Sequence, residues 1–124
     1  MAKKTVMIVD DSKTILTQLS LILRKCDVDC VQAECAEDAL SVLQTGKVVD
    51  LMLLDVNMPG MTGIDLLRQL DVHTNKNSPQ VVILTTESDE SMITEARTLG
   101  ARGWLIKPFS QERVLGLVAK LLKI

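Results

Sequence analysis

Leu51-Met52-Leu53-Leu54 is a run of four large apolar residues closed by Asp55, and it narrows the folds open to this chain. A run this short, without alternation and followed by the turn signal Pro59-Gly60, reads as a strand buried on both faces. A parallel sheet imposes that pattern when helices cover it above and below. The pattern recurs. Val6-Met7-Ile8-Val9, Val81-Val82-Ile83-Leu84 and Gly103-Trp104-Leu105-Ile106 are further apolar runs, each followed by polar residues and then a stretch of helical spacing. Such alternation is the mark of a βα sheet.

Taken in order, Ser12 is a candidate N-cap for a helix whose inner face is Ile15, Leu16, Leu19, Ile22 and Leu23. Asp29-Cys30-Val31-Gln32-Ala33 alternates polar and apolar, as an edge strand does. Ala39, Leu40 and Leu43 mark a second helix ended by Gly46, and Thr62 can cap a third carrying Leu66, Leu67 and Leu70. A polar loop from His73 to Pro79 leads to the fourth strand. Ser88 or Asp89 can cap a fourth helix with Met92, Ile93, Ala96 and Leu99 inward and Gly100 at its end. Ser110 caps the last helix, with Val114, Leu117, Val118, Leu121 and Leu122 on one face. The expected fold is α/β, a doubly wound five-stranded parallel sheet of order 2-1-3-4-5, flavodoxin-like, forming one domain over residues 1–124.

Composition removes several function classes. The chain of 124 residues is 47% apolar with Trp104 and Phe109 as its aromatics, so the core is aliphatic. A net charge of −2 without a basic stripe excludes direct nucleic-acid binding. Cys26, Cys30 and Cys35 form no Cys-x-x-Cys pair and are read as reduced, mostly packed thiols. The single histidine, His73, stands in a polar loop, which excludes a histidine-built zinc site. The apolar run after Lys4 is too short for a signal or spanning segment, so a soluble, cytoplasmic, monomeric protein with no membrane role is expected.

The polar residues that follow the strands are Asp10 and Asp11, then Asp55, Thr85 and Lys107. Right-handed crossovers put every carboxyl end of a parallel sheet on one rim, and order 2-1-3-4-5 places the winding reversal between the first and third strands. Three carboxylates meeting there repel by roughly 4 kcal/mol per pair at ~4 Å and an effective dielectric near 20. All-oxygen, incomplete coordination suits Mg²⁺, with Mn²⁺ as a substitute. An ammonium from Lys107 and a hydroxyl from Thr85 beside Asp55 suit the stabilisation of a transferring phosphoryl group, with Asp55 as nucleophile.

These residues resemble the receiver domain of bacterial two-component response regulators along the whole length from Val6 to Leu122. The family pattern is an acidic pair after the first strand, an acceptor Asp within D-x-x-M-P-G, a Ser/Thr after the fourth strand and Lys-Pro after the fifth. Here these are Asp10-Asp11, Asp55 with Met58-Pro59-Gly60, Thr85 and Lys107-Pro108.

The resemblance implies that Asp55 accepts phosphate from a CheA-like sensor histidine kinase. It implies that Asp11, Asp55 and the backbone carbonyl of Asn57 ligate Mg²⁺, that Asp10 acts through metal-bound water, and that Lys107-Pro108 is cis. It also implies a switch that couples Thr85 to Trp104, where Tyr or Phe is more usual, and biases the face of the fourth helix, fifth strand and fifth helix toward a target. Asn57 and Glu87 occupy positions that tune dephosphorylation in the family, and their combination points to a CheY-like member acting alone in chemotaxis or motility. The target would then be a flagellar switch component or a histidine phosphotransfer protein; relay and phosphate-sink roles are the alternatives.

Two other classes fit less well. A Mg²⁺-dependent phosphohydrolase with a nucleophilic Asp needs a general acid two residues on, where Asn57 has no titrating proton to give. A flavodoxin-like cofactor binder needs a Gly- or hydroxyl-rich phosphate loop where this chain has two carboxylates.

Overall fold

The computed structural model describes residues 3–70, 78–86 and 90–124. Strands β1 (Lys4–Val9), β2 (Val28–Ala33), β3 (Leu51–Asp55), β4 (Gln80–Thr85) and β5 (Gly103–Ile106) alternate with helices α1 (Lys13–Leu23), α2 (Ala36–Gln44), α3 (Gly63–Leu70), α4 (Glu90–Thr98) and α5 (Gln111–Leu122). All neighbouring strands pair in parallel, and the order is β2-β1-β3-β4-β5, as expected.

Strand periodicity divides the core into two layers. On one face Met7, Val9, Met52, Leu54, Val81 and Ile83 pack beneath α2, α3 and α4. On the other, Val6, Ile8, Leu51, Leu53, Val82 and Leu84 meet α1 and α5, whose Leu16, Leu19, Leu23, Val114 and Val118 are buried. Each fully buried Leu contributes about 1.5–3 kcal/mol relative to exposure. That is why the central strand carries no surface-compatible residue until Asp55.

The expected caps of α1, α3 and α5 are present. The hydroxyls of Ser12 and Ser110 accept from the amides of Ile15 and Arg113. Thr62 and Asp65 cap each other: the Asp65 amide donates to Thr62 Oγ1 and the Thr62 amide to an Asp65 carboxylate oxygen, both at 3.2 Å. Gly46 and Gly100 end α2 and α4 with φ of +88° and +105°, a left-handed region open to glycine at no cost. The thiol of Cys35, not foreseen as a cap, accepts from the amide of Asp38 at the start of α2.

One expectation is corrected. The cysteines are less packed than their segments suggested: Cys26 and Cys35 are half-buried and Cys30 is exposed on the edge strand. In α4 the inward face is the one expected, since Met92, Ile93 and Leu99 pack against the core beside Ala96, but Ala96 alone is fully buried and the other three are partly covered. This helix connects β4 to β5, the edge strand of the sheet, so the surface it packs on stops at the sheet's margin. His73 and the candidate caps Ser88 and Asp89 lie outside the described residues.

Candidate functional site

Strand register brings the polar residues together. Val9 pairs with Leu54, so Asp10 stands level with Asp55 one residue further on. Asp55 pairs with Leu84, and Thr85 pairs with Ile106, which puts Thr85 and Lys107 at the next step along the same rim. The Lys107 amide donates to the Thr85 carbonyl at 2.7 Å and the Val56 amide to the Leu84 carbonyl at 3.2 Å, so the loops leave the sheet in fixed directions.

Carboxylate oxygens of Asp10, Asp11 and Asp55 lie within 4.8 Å of one another. Asp10 is fully buried, Asp55 nearly so at 3% exposure, and Asp11 faces solvent. The Lys107 ammonium donates to Asp10 Oδ2 at 2.8 Å and lies 3.5 Å from Asp55 Oδ1. Asp10 Oδ1 accepts from the Ser12 amide at 2.9 Å, and Asp55 Oδ1 from the Asn57 amide at 3.2 Å. One ammonium against three carboxylates leaves the cluster short of positive charge.

Asp55 registers that shortage. Burial first, and the Asp10 carboxylate next, push its carboxyl up from the ordinary 3.8 to about 6; Asp11 adds to the rise, while the Asn57 amide and Lys107 oppose it. All-oxygen donors, one of them open to water, fit a hard divalent cation that keeps part of its hydration shell.

Thr85 is fully buried, and Trp104 is partly buried with the Arg97 guanidinium of α4 4.8 Å from its ring centre. The Lys107-Pro108 bond is cis, as the resemblance implied. Glu87 lies outside the described residues. A cleft of about 630 Å³ between α2 and α3 opens near Asp50 and Gln80 at the opposite end of the sheet and takes no part in this cluster.

Gly63 belongs to the site and escaped the sequence reading. A Cβ there would fall 2.2 Å from the Asp55 carbonyl oxygen and 2.8 Å from Val56 Cα, so α3 can start this close to the end of β3 only without a side chain. A helix-disfavoured residue directly after the Thr62 cap was the available signal.

An acidic rim with a buried aspartate at the switch point of a 2-1-3-4-5 sheet defines a receiver-type α/β domain. The chain matches the response regulator receiver domain over residues 6–119 and belongs to that family. It is 34% identical over 108 residues to the chemotaxis protein CheY of Pseudomonas aeruginosa, covering 86% of each chain. It is 33% identical over 124 residues to the sporulation initiation phosphotransferase F of Bacillus subtilis, covering 100% of this chain and 98% of that one. Among solved structures, Vibrio cholerae chemotaxis protein CheY4 superposes with a TM-score of 0.87 at 31% identity, covering 97% of this chain and 99% of the other.

Proposed function

We propose that the protein is a phosphoacceptor switch in which Asp55 takes a phosphoryl group from the phosphohistidine of a CheA-like sensor kinase. The observation that carries this reading is the convergence of the Asp10, Asp11 and Asp55 oxygens within 4.8 Å, with the Lys107 ammonium against two of them. At neutral pH the Asp55 carboxyl, raised to about 6, is largely ionised and nucleophilic. One of its oxygens bonds to phosphorus as the P–N bond breaks, and the imidazole leaves with the electron pair. The Asn57 amide fixes the other oxygen's orientation, and Lys107 moves from its carboxylate partners toward the new phosphoryl oxygens.

Asp11, Asp55 and the Asn57 carbonyl are the residues that would hold Mg²⁺. Asp10, whose two oxygens already accept from Ser12 and Lys107, is left to act through water. A divalent cation bound there neutralises charge on the transferring group. Thr85 and Trp104 would pass the added charge of about −2 to the α4-β5-α5 face, where a flagellar switch component is the kind of target expected of a CheY-like protein. Asn57 and Glu87 would set a short acyl-phosphate lifetime; a phosphorylated form that persisted for many hours at neutral pH with Mg²⁺ would count against it.

Similarity over the full length to a phosphotransferase of the sporulation pathway favours a second reading, a relay that hands its phosphoryl group to a histidine phosphotransfer protein. Incubation with acetyl phosphate and Mg²⁺, followed by intact mass, tests the chemistry. Wild type gains one phosphoryl mass and Asp55→Asn gains none; an unchanged wild type would refute the proposal. Capture of partners with and without beryllofluoride then separates switch from relay.

A further inference from the structure

We propose that α3 is a strut through which the Asp55 site and α4 sense each other, with the Arg68–Glu95 ion pair as its outer joint. This rests on the phosphoacceptor reading of Asp55 and adds a route separate from Thr85 and Trp104. At the inner end there is no slack, because the position of Gly63 leaves no room for even a methyl group against the Asp55 carbonyl. Its amide also donates to the Val56 carbonyl at 3.3 Å. A displacement of the backbone at Asp55 therefore meets the first turn of α3 directly.

That turn is held as a unit by the reciprocal Thr62–Asp65 cap. Leu66, Leu67 and Leu70 are buried and fix the helix as a rigid body on the sheet. Asp65, which closes the cap with one oxygen, holds the Arg68 guanidinium 3.3 Å from the other. Arg68 then reaches across to α4 and donates to Glu95 Oε1 at 2.7 Å, 27 residues away in sequence. One continuous set of contacts thus runs from the backbone of the acceptor residue to the outer surface of α4.

The receiving end is easily biased. With Ala96 its one fully buried residue and Met92 and Ile93 only partly covered against the core, α4 is seated less deeply than α3, and such an element is drawn from the less stable part of a fold. Two arginines hold it from opposite sides: Arg68 ties it to α3, and its own Arg97 lies over Trp104 of β5. Arg68 and Glu95 are each about half exposed, at 53% and 48%. Exposed pairs shift an equilibrium by only about 1.5- to 5-fold, which is enough to tilt a helix balanced between two packings and too little to lock it.

Since the pair is formed with Asp55 unmodified, it favours the unmodified arrangement. Removing it makes the phosphorylated-like state easier to reach. By linkage, an acceptor site coupled to α4 must then bind a phosphoryl mimic more tightly.

Beryllofluoride, which stands in for the phosphoryl group on a carboxylate, is titrated with saturating Mg²⁺ into wild type, Arg68→Gln, Glu95→Gln and the double variant. The fluorescence of Trp104, the single tryptophan, reports occupancy, and amide hydrogen exchange in α4 is followed in parallel. Each single variant is expected to lower the half-saturating concentration about 2- to 5-fold and to speed exchange in α4 before beryllofluoride is added. The double variant should go no further than either single, and the reversed pair Arg68→Glu with Glu95→Arg should return both readouts toward wild type. Half-saturation unchanged in both singles, or strictly additive effects, would overturn the strut while leaving the acceptor reading intact. A wild type that never binds beryllofluoride would overturn both.

Discussion

The Lys107 ammonium stands 2.8 Å from a carboxylate oxygen of Asp10, a residue with no exposed surface, and so joins the loop after β5 to the loop after β1 across the face of Asp55. A buried carboxylate that keeps its Ser12 amide but loses its cation is left undercompensated. Lys107→Met should therefore weaken the metal-free protein by about 1–3 kcal/mol at pH 7 in urea unfolding. The same ammonium competes with any divalent ion for the cluster, so the variant should bind Mg²⁺ roughly 10-fold more tightly by calorimetry, about 1.4 kcal/mol. Weaker Mg²⁺ binding in this variant would show that Lys107 supports the metal site instead of opposing it.

The raised carboxyl of Asp55 sets a pH dependence of stability. Between about 4 and about 6 the folded protein still holds a proton that the unfolded chain has released. Stability therefore falls as pH rises through that interval, and the cost of the charge is complete above it. Asp55→Asn removes this cost. It should stabilise the metal-free protein by roughly 2–3 kcal/mol at pH 7.5 and have little effect at pH 4, with saturating Mg²⁺ narrowing the gap at pH 7.5. Equal stability of the two proteins at pH 7.5 without metal would contradict the electrostatic account of the site.

What could be foreseen from residues alone divides along the range of the interactions. The apolar runs fixed the strands because burial on both faces leaves a local signature, and the residue after each run fixed the rim. Ser12, Thr62 and Ser110 were legible as caps because a cap bonds within three residues. The Arg68–Glu95 bridge and the bonding of Asp50 to Thr5, 27 and 45 residues apart, have no local trace. Nor has the shallow seating of α4: Met92, Ile93 and Leu99 keep helical spacing whether a helix lies at the centre of a sheet or over its margin. Gly63 was visible as a glycine, but its need arises from a backbone approach that only the folded chain makes.

Asp50 offers a test of stability without chemistry. Its Oδ2 accepts from the Thr5 amide at 2.8 Å, and its own amide donates to the Thr5 carbonyl at 2.9 Å, which pins the start of β1 beside β3 at the end remote from Asp55. Asp50→Ala should cost about 1–2 kcal/mol in urea unfolding by stranding the Thr5 amide, yet leave the acetyl phosphate rate within about twofold of wild type under folding conditions. A large loss of rate would mean that the lower end of the sheet controls the acceptor geometry.

Gly63→Ala is the complementary case, in which both quantities should move. The added methyl would lie 2.2 Å from the Asp55 carbonyl oxygen and 2.8 Å from Val56 Cα. These are backbone atoms with no rotamer to yield, so either α3 retreats or the end of β3 is pushed. Overpacking of this kind costs about 1–3 kcal/mol, comparable to the Asp50 substitution. The displacement, however, falls on the residue whose side chain must stay aligned with Asp10, Asp11 and Lys107. Misplacement by about 1 Å can slow an oriented reaction up to roughly 100-fold. With acetyl phosphate, Gly63→Ala should phosphorylate about 10- to 100-fold more slowly than Asp50→Ala at matched fractions folded. If the two variants reacted at the same rate, α3 would have given way instead, and the close approach at Gly63 would be a matter of packing alone.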